Sequence, residues 1–164
     1  MVTLYQYKGT VNKVYDGDTI TDITIDLGFG IKMTEQDIRL FGIDTAELRD
    51  SKNNVRSEEE KVRATEATRV LTGLTVGQDV TLKTFKTSAL KTKDKKEKYG
   101  RWLALIHVPS KRVESFFGVG EKLDLILKDS ESGKIGTSLG NNAEEFMCVN
   151  DILVSLKLAV KASY

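Results

Sequence analysis

Cysteine, histidine, proline and tryptophan each occur once in this chain of 164 residues. A lone Cys148 closes no intrachain disulfide, and it reads as a small core residue before a reactive thiol. A reducing compartment fits that reading. A lone His107 leaves no histidine or cysteine cluster, which argues against zinc. Long apolar runs are also missing. The longest fall far short of the roughly 18 residues that suggest a membrane span, so no membrane partner is expected. The opening residues Met1 to Tyr5 have neither a basic stretch nor a long apolar one. A cytoplasmic location is therefore expected, with secretion after processing left open. Overall charge is nearly balanced at net +1. That balance hides a basic stretch from Lys83 to Arg101, with eight bases against two acids (Asp94 and Glu97). Such a run suits a solvated loop or electrostatic capture of nucleic acid, and the two readings stand level here.

The chain has 40% apolar residues, enough for a core, and 30% charged residues, enough for a soluble surface. Its length fits one domain with an insertion. Tyr5 to Val14 reads as a strand ended by the Asp16-Gly17 turn. Ile23, Ile25 and Leu27 alternate with Asp22, Thr24 and Asp26, the period of a half-buried strand. Further strands are expected over Ile38–Ile43, Asp79–Lys86 and Arg101–Val108, the last apolar on both faces and central. Ser57 with Glu60 forms a capping box; Ala64, Ala67, Leu71 and Leu74 follow at helical spacing, with Gly73 as a left-handed stop. A second helix is expected from about Asn150 to Val160, capped by Asn150 or Asp151, with Ile152, Leu153, Leu156 and Val160 as its stripe. The segment from about 109 to 146 looks inserted; Leu123, Leu125 and Leu127 alternate there, as in a hairpin. Five short strands with two or three helices predict an α+β fold built on a small closed barrel of the oligonucleotide-binding type.

Three clusters carry chemistry: Asp16-Gly17-Asp18, Arg39 with Asp44-Thr45-Ala46-Glu47, and Tyr99-Gly100-Arg101. They supply four carboxylates and two arginines, an inventory that suits an oxygen-loving cation beside a phosphodiester. Each cluster alone has a plainer reading, as turn formers, a helix cap or surface ion pairs. His107, six residues past Arg101, reads as a hydrogen-bonded strand histidine rather than a general base. Trp102 reads as core. Leu40 and Leu103 line either a base pocket or the barrel interior.

The ordered set resembles the staphylococcal nuclease (thermonuclease-like) family. The matching residues are Val14 to Thr19, Ile38 to Glu47, Lys98 to Ala104 and Val149 to Val154, within a match that covers about two-thirds of the chain. The resemblance implies an oligonucleotide-binding barrel and a calcium-dependent phosphodiesterase acting on DNA or RNA and leaving 3′-phosphate ends. It implies Asp18 and Asp44 as calcium ligands, Thr45 adding its carbonyl, and Asp16 behind them. Glu47 would orient or deprotonate the attacking water, Arg39 and Arg101 would grip the scissile phosphate, and Lys98 and Tyr99 would contact a neighbouring one. The chain departs from the family at Ala46, where proline is usual, in a longer Gly28–Gln36 loop, in the 109–146 insertion, and in offering only Tyr164 beyond the last helix for base stacking. Two rivals remain at this point: a non-catalytic nucleic-acid-binding module on the same barrel, and an interaction protein whose inserted segment docks a protein partner. The oligomeric state is not legible.

Overall fold

The computed structural model describes residues 4–47, 57–85 and 101–162. Five strands close a barrel: β1 (Leu4–Asp16), β2 (Thr19–Gly28), β3 (Ile31–Leu40), and, after a short β4 (Ile43–Thr45) and helix α1 (Glu58–Thr75), β5 (Asp79–Phe85) and β6 (Trp102–Pro109). Antiparallel pairings run in the order β3-β2-β1-β5-β6. A short parallel seam, Ile38 to Leu40 against Trp102 to Ala104, joins β3 to β6 and shuts the cylinder. The fold is thus α+β with an oligonucleotide-binding type of barrel. The apolar positions explain it: Val11, Ile20, Ile23, Ile38, Leu82 and Ile106 are fully buried, while β6, covered on both faces, buries consecutive residues as its apolar run predicts.

The Gly28–Gln36 stretch is not a loop. Its turn is only Phe29-Gly30, both at positive φ (55° and 75°), which matches the twist of an antiparallel pair, and Ile31 to Gln36 belongs to β3. Helix α1 starts as expected, with the Glu60 amide donating to the Ser57 hydroxyl at 3.3 Å. It does not stop at Gly73, however. The helix runs on to Thr75, and Gly73 leaves room for an aromatic ring: a Cβ there would lie 2.0 Å from Cε2 of Phe116. Ala64, Ala67, Leu71 and Leu74 are buried as the spacing predicts, with Val70 beside them, and plug the barrel.

The 109–146 segment holds two helices, α2 (Ser110–Phe117) and α3 (Glu121–Glu131), then strand β7 (Thr137–Leu139). The hairpin expected at Leu123–Leu127 is therefore a helix. Both periods fit that leucine-rich run, but Ile126 is fully buried while Leu125 is exposed, and only a helix aligns Ile126 with Leu123 and Leu127. Phe116 anchors the segment, its ring edge-on to Phe117 at 4.9 Å and capped by the Arg69 guanidinium at 5.0 Å.

Strand β8 (Glu145–Cys148) then pairs with β6 and β7 and leads into helix α4 (Val149–Ser155). This helix is shorter than Asn150–Val160. Lys157 turns left-handed (φ 60°), Leu158 N–H reaches back to Leu153 O at 2.9 Å, and Ala159–Lys161 becomes strand β9 against β4. Neither Asn150 nor Asp151 caps α4. The Asn150 side chain instead donates to Phe41 O (3.0 Å) and Ala104 O (3.2 Å) and accepts from Ile106 N (3.1 Å). It fills the gap where β6 has passed β3 and not yet met β8. Among the described residues, no helix is long and apolar enough to cross a membrane.

Candidate active site

Asp18 reaches its place because the β1–β2 turn packs flush against α1. A Cβ on Gly17 would sit 2.6 Å from Ala67 Cβ and 3.0 Å from Thr45 Oγ1, so only glycine allows this approach. The Asp18 carboxylate is buried and fully engaged. Its Oδ2 accepts the Thr45 amide at 3.0 Å, its Oδ1 accepts the Thr19 hydroxyl at 3.1 Å, and Oδ1 also faces Nη1 of Arg39. The other terminal nitrogen of Arg39 pairs with Asp44 Oδ1 and donates to Ile43 O at 3.2 Å. One guanidinium on β3 therefore ties the β1–β2 turn to the exposed Asp44 on β4.

Arg101 joins from the start of β6. Its Nη1 donates to Thr19 Oγ1 at 3.2 Å, so Thr19 stands between Arg101 and Asp18. The β3–β6 seam brings the two arginines to the same end of the barrel, since Arg39 pairs with Leu103 there. Asp16 supports the turn by accepting the Asp18 amide at 3.2 Å.

Asp18, Arg39 and Asp44–Glu47 wall one side of a cleft of about 580 Å³, which Asp16, Thr19 and Arg101 do not line. Glu60 and Arg63 of α1 and the Lys157–Val160 segment complete it. Glu47 is exposed on this wall. Neither Leu40 nor Leu103 lines the cleft. Leu40 is fully buried in the barrel core, so packing is the reading that matches it, whereas Leu103 (4% exposed) pairs with Arg39 across the seam and shares the arginine's face of the sheet. Trp102 is half-buried against the core and donates to Gln36 Oε1 at 3.0 Å. His107 is buried on β6, 3.5 Å from the Ser138 hydroxyl, and is no part of the cleft wall. Lys98 and Tyr99 lie outside the described residues, as do most of the basic stretch and Tyr164. Sequence reasoning assigned no role to Thr19, Arg63 or Lys157. Thr19 directly follows a carboxylate already singled out, which was its only signal.

The local electrostatics divide two neighbouring carboxyls. Burial and the charge of Asp18 push Asp16 up to about 7. Burial alone would raise Asp18 as well. The hydrogen bond with Asp16, the Arg39 charge and the Thr45 amide outweigh it and hold Asp18 below the usual carboxylate range. Folded protein thus keeps a proton on Asp16 that the unfolded chain releases near pH 4. The unfolded state binds fewer protons, so stability falls as pH rises from about 4 to about 7, by at most about 1.4 kcal/mol per pH unit. His107 works the other way: burial and Lys83 lower it to about 4, so its contribution is lost as pH falls from 6.5 to about 4. Asp16→Asn, which retains His107, should show a higher urea midpoint than wild type at pH 8 and lose the Asp16 slope. Equal wild-type and variant profiles would exclude the proton held on Asp16.

Among the described residues, no three carboxylate, thiol or imidazole groups cluster as a metal site. The donors that do converge are all oxygens. Asp18 and Asp44 stand close enough for one guanidinium to touch both, and Thr45 Oγ1 beside them is buried with no hydrogen-bond partner among the described residues. This set fits a hard cation better than zinc or copper. Comparison with known proteins adds no name: no family model and no curated sequence matches the chain.

Proposed function

We propose that the protein is a calcium-dependent nuclease of the staphylococcal nuclease type, hydrolysing phosphodiester bonds of DNA or RNA and leaving 3′-phosphate ends. One observation carries the reading. Asp18, Asp44, Arg39 and, through Thr19, Arg101 form a single linked group from three strand ends and a turn, and the first three of these line an open cleft. Asp18, Asp44 and the Thr45 carbonyl would hold the cation. When bound, it would offset phosphate charge and polarise the phosphoryl oxygen.

The remaining work falls to the chain itself. Arg39 would turn from the carboxylates to the scissile phosphate, where its planar fork binds two oxygens at once. Arg101 would add a second guanidinium, held in register by Thr19. Both stabilise charge that grows as the phosphorus centre becomes five-coordinate. Glu47, exposed on the wall, would orient the attacking water or take its proton.

The test is cleavage of a labelled single-stranded oligonucleotide with calcium, with magnesium and with chelator. Asp44→Asn serves as the comparison because Asp44 is exposed and its loss leaves the core intact. Calcium-dependent cleavage, reduced on the order of 10²-fold in the variant, is the expected result. Tight binding without cleavage in any metal would replace the nuclease with a non-catalytic binding module.

A further inference from the structure

The cleft wall carries two cations that the carboxylate cluster does not use. Arg39 is engaged by Asp18 and Asp44. Arg63 and Lys157 face the same cleft from α1 and from the turn after α4, and both are exposed. Among the described residues neither makes an ion pair.

For Arg63 this stands out against its own helix. Lys61 pairs with Glu58 at 3.1 Å and Arg69 with Glu66 at 2.7 Å, each one turn away. Arg63 has Glu59, Glu60 and Glu66 within one turn, yet Glu66 goes to Arg69 and to Lys122 instead. Lys157 departs from expectation in a second way. It occupies the left-handed position that closes α4, at φ 60°, a conformation that costs a lysine and not a glycine. Strain of this kind, on the wall of a cleft, directs attention to what the side chain does there.

A guanidinium fork and an ammonium, exposed, outside any ion pair among the described residues and sharing one cleft whose carboxylates include Glu60, match a phosphate dianion or diester. The cleft, at about 580 Å³, has the size of sites that take ligands with several groups, larger than one phosphate requires. We propose that Arg63 and Lys157 form a second phosphate-binding position, holding a phosphate of the same nucleic-acid strand beside the one handled by Arg39. The ligand class rests on the nuclease reading; the pair itself rests on the cleft. The consequence is a substrate requirement: a strand with a neighbouring phosphate, rather than a lone phosphodiester.

Binding can be measured without turnover, by fluorescence anisotropy of a labelled single-stranded oligonucleotide in chelator. Arg63→Ala and Lys157→Gly, the latter relieving backbone strain, should each weaken binding about tenfold relative to wild type, as a lost contact of about 1.4 kcal/mol would. Between about 50 and 200 mM salt, the double variant should lose about 1.4 from the slope of log Kd against log salt, 0.7 per contact. Lys32→Ala removes an equal charge near the β2–β3 turn, roughly 20 Å along β3 from Arg39, and should bind almost as wild type does. In turnover, the KM for the oligonucleotide should rise in both cleft variants, while hydrolysis of a single-phosphate nitrophenyl ester of thymidine stays unchanged. Wild type that fails to bind, cleft variants no weaker than Lys32→Ala, or an unchanged salt slope would each overturn the proposal. The two readings separate cleanly. Pair-dependent binding without cleavage in any metal retains the phosphate position and removes the nuclease. Cleavage indifferent to both substitutions does the reverse.

Discussion

Arg39→Ala should lower oligonucleotide cleavage on the order of 10²-fold or more and destabilise the protein by about 3–5 kcal/mol at neutral pH. The two effects share one cause. Arg39 is the cation between a buried Asp18 and an exposed Asp44, with only 13% of its own side chain exposed. Removing it strands the Asp18 carboxylate in a poorly solvated place, with hydrogen bonds from Thr19, Thr45 and Asp16 but no neighbouring cation in contact, among the described residues, to answer its charge. Arg39→Lys distinguishes rate from stability. An ammonium restores much of the charge balance but cannot span two carboxylates or grip two phosphate oxygens, so stability should recover further than rate. Calcium supplies a further readout. With the guanidinium gone, the two carboxylates are open to another cation, so added calcium should raise the melting temperature of Arg39→Ala more than that of wild type. A lysine variant with wild-type turnover, or an alanine variant indifferent to calcium, would remove Arg39 from the role assigned to it.

The second large effect is expected far from the cleft, at Asn150. Its amide is 1% exposed and serves three backbone groups on two segments: Phe41 O, Ala104 O and Ile106 N. Asn150→Leu keeps a similar volume and removes all three bonds. Ala104 O keeps the Phe41 amide at 2.8 Å, but Ile106 N–H loses the bond that Asn150 provided in a fully buried strand. Each orphaned buried group costs about 1–3 kcal/mol, so a loss of about 2–4 kcal/mol is expected, or roughly 5–15 °C in melting temperature. Asn150→Asp should also destabilise, because its second oxygen meets two carbonyls, and the loss should shrink as acid protonates it. Activity should fall as well, since Phe41 begins the turn that separates Arg39 from Asp44. A leucine variant within 0.5 kcal/mol of wild type, measured by urea unfolding, would show that the bridge carries no weight.

The sequence carried the barrel because its strands are written in a period of two, and strand ends are where Asp18, Arg39, Asp44 and Arg101 had to fall. That they belong together was legible only through the resemblance carried by the ordered set, since each cluster alone has a plainer reading. The rest needed three dimensions. In Leu123–Leu127 the helical and strand periods overlap, and burial of Ile126 decides between them. Gly73 is ambiguous in one dimension, because a stop and a seat for Phe116 demand the same residue. Asn150 resembled a helix cap for a similar reason: the residue type suits a cap, and its real partners lie more than 40 positions away. Arg63 and Lys157 belong to a helix and to a left-handed turn, neither of which announces that it faces the cleft.

The three-residue seam between β3 and β6 has a consequence for when the site comes into being. It joins strands separated by more than 60 positions, and the wall beside Thr45 waits on β9, near residue 160. Contacts so distant in sequence close late and slowly. A growing chain therefore presents its acidic turn and Arg39 early, but no finished cleft until β9 has emerged. On the proposed nuclease reading, activity would wait for the closing of the cylinder, whatever the state of the strands that already carry the acidic turn and Arg39.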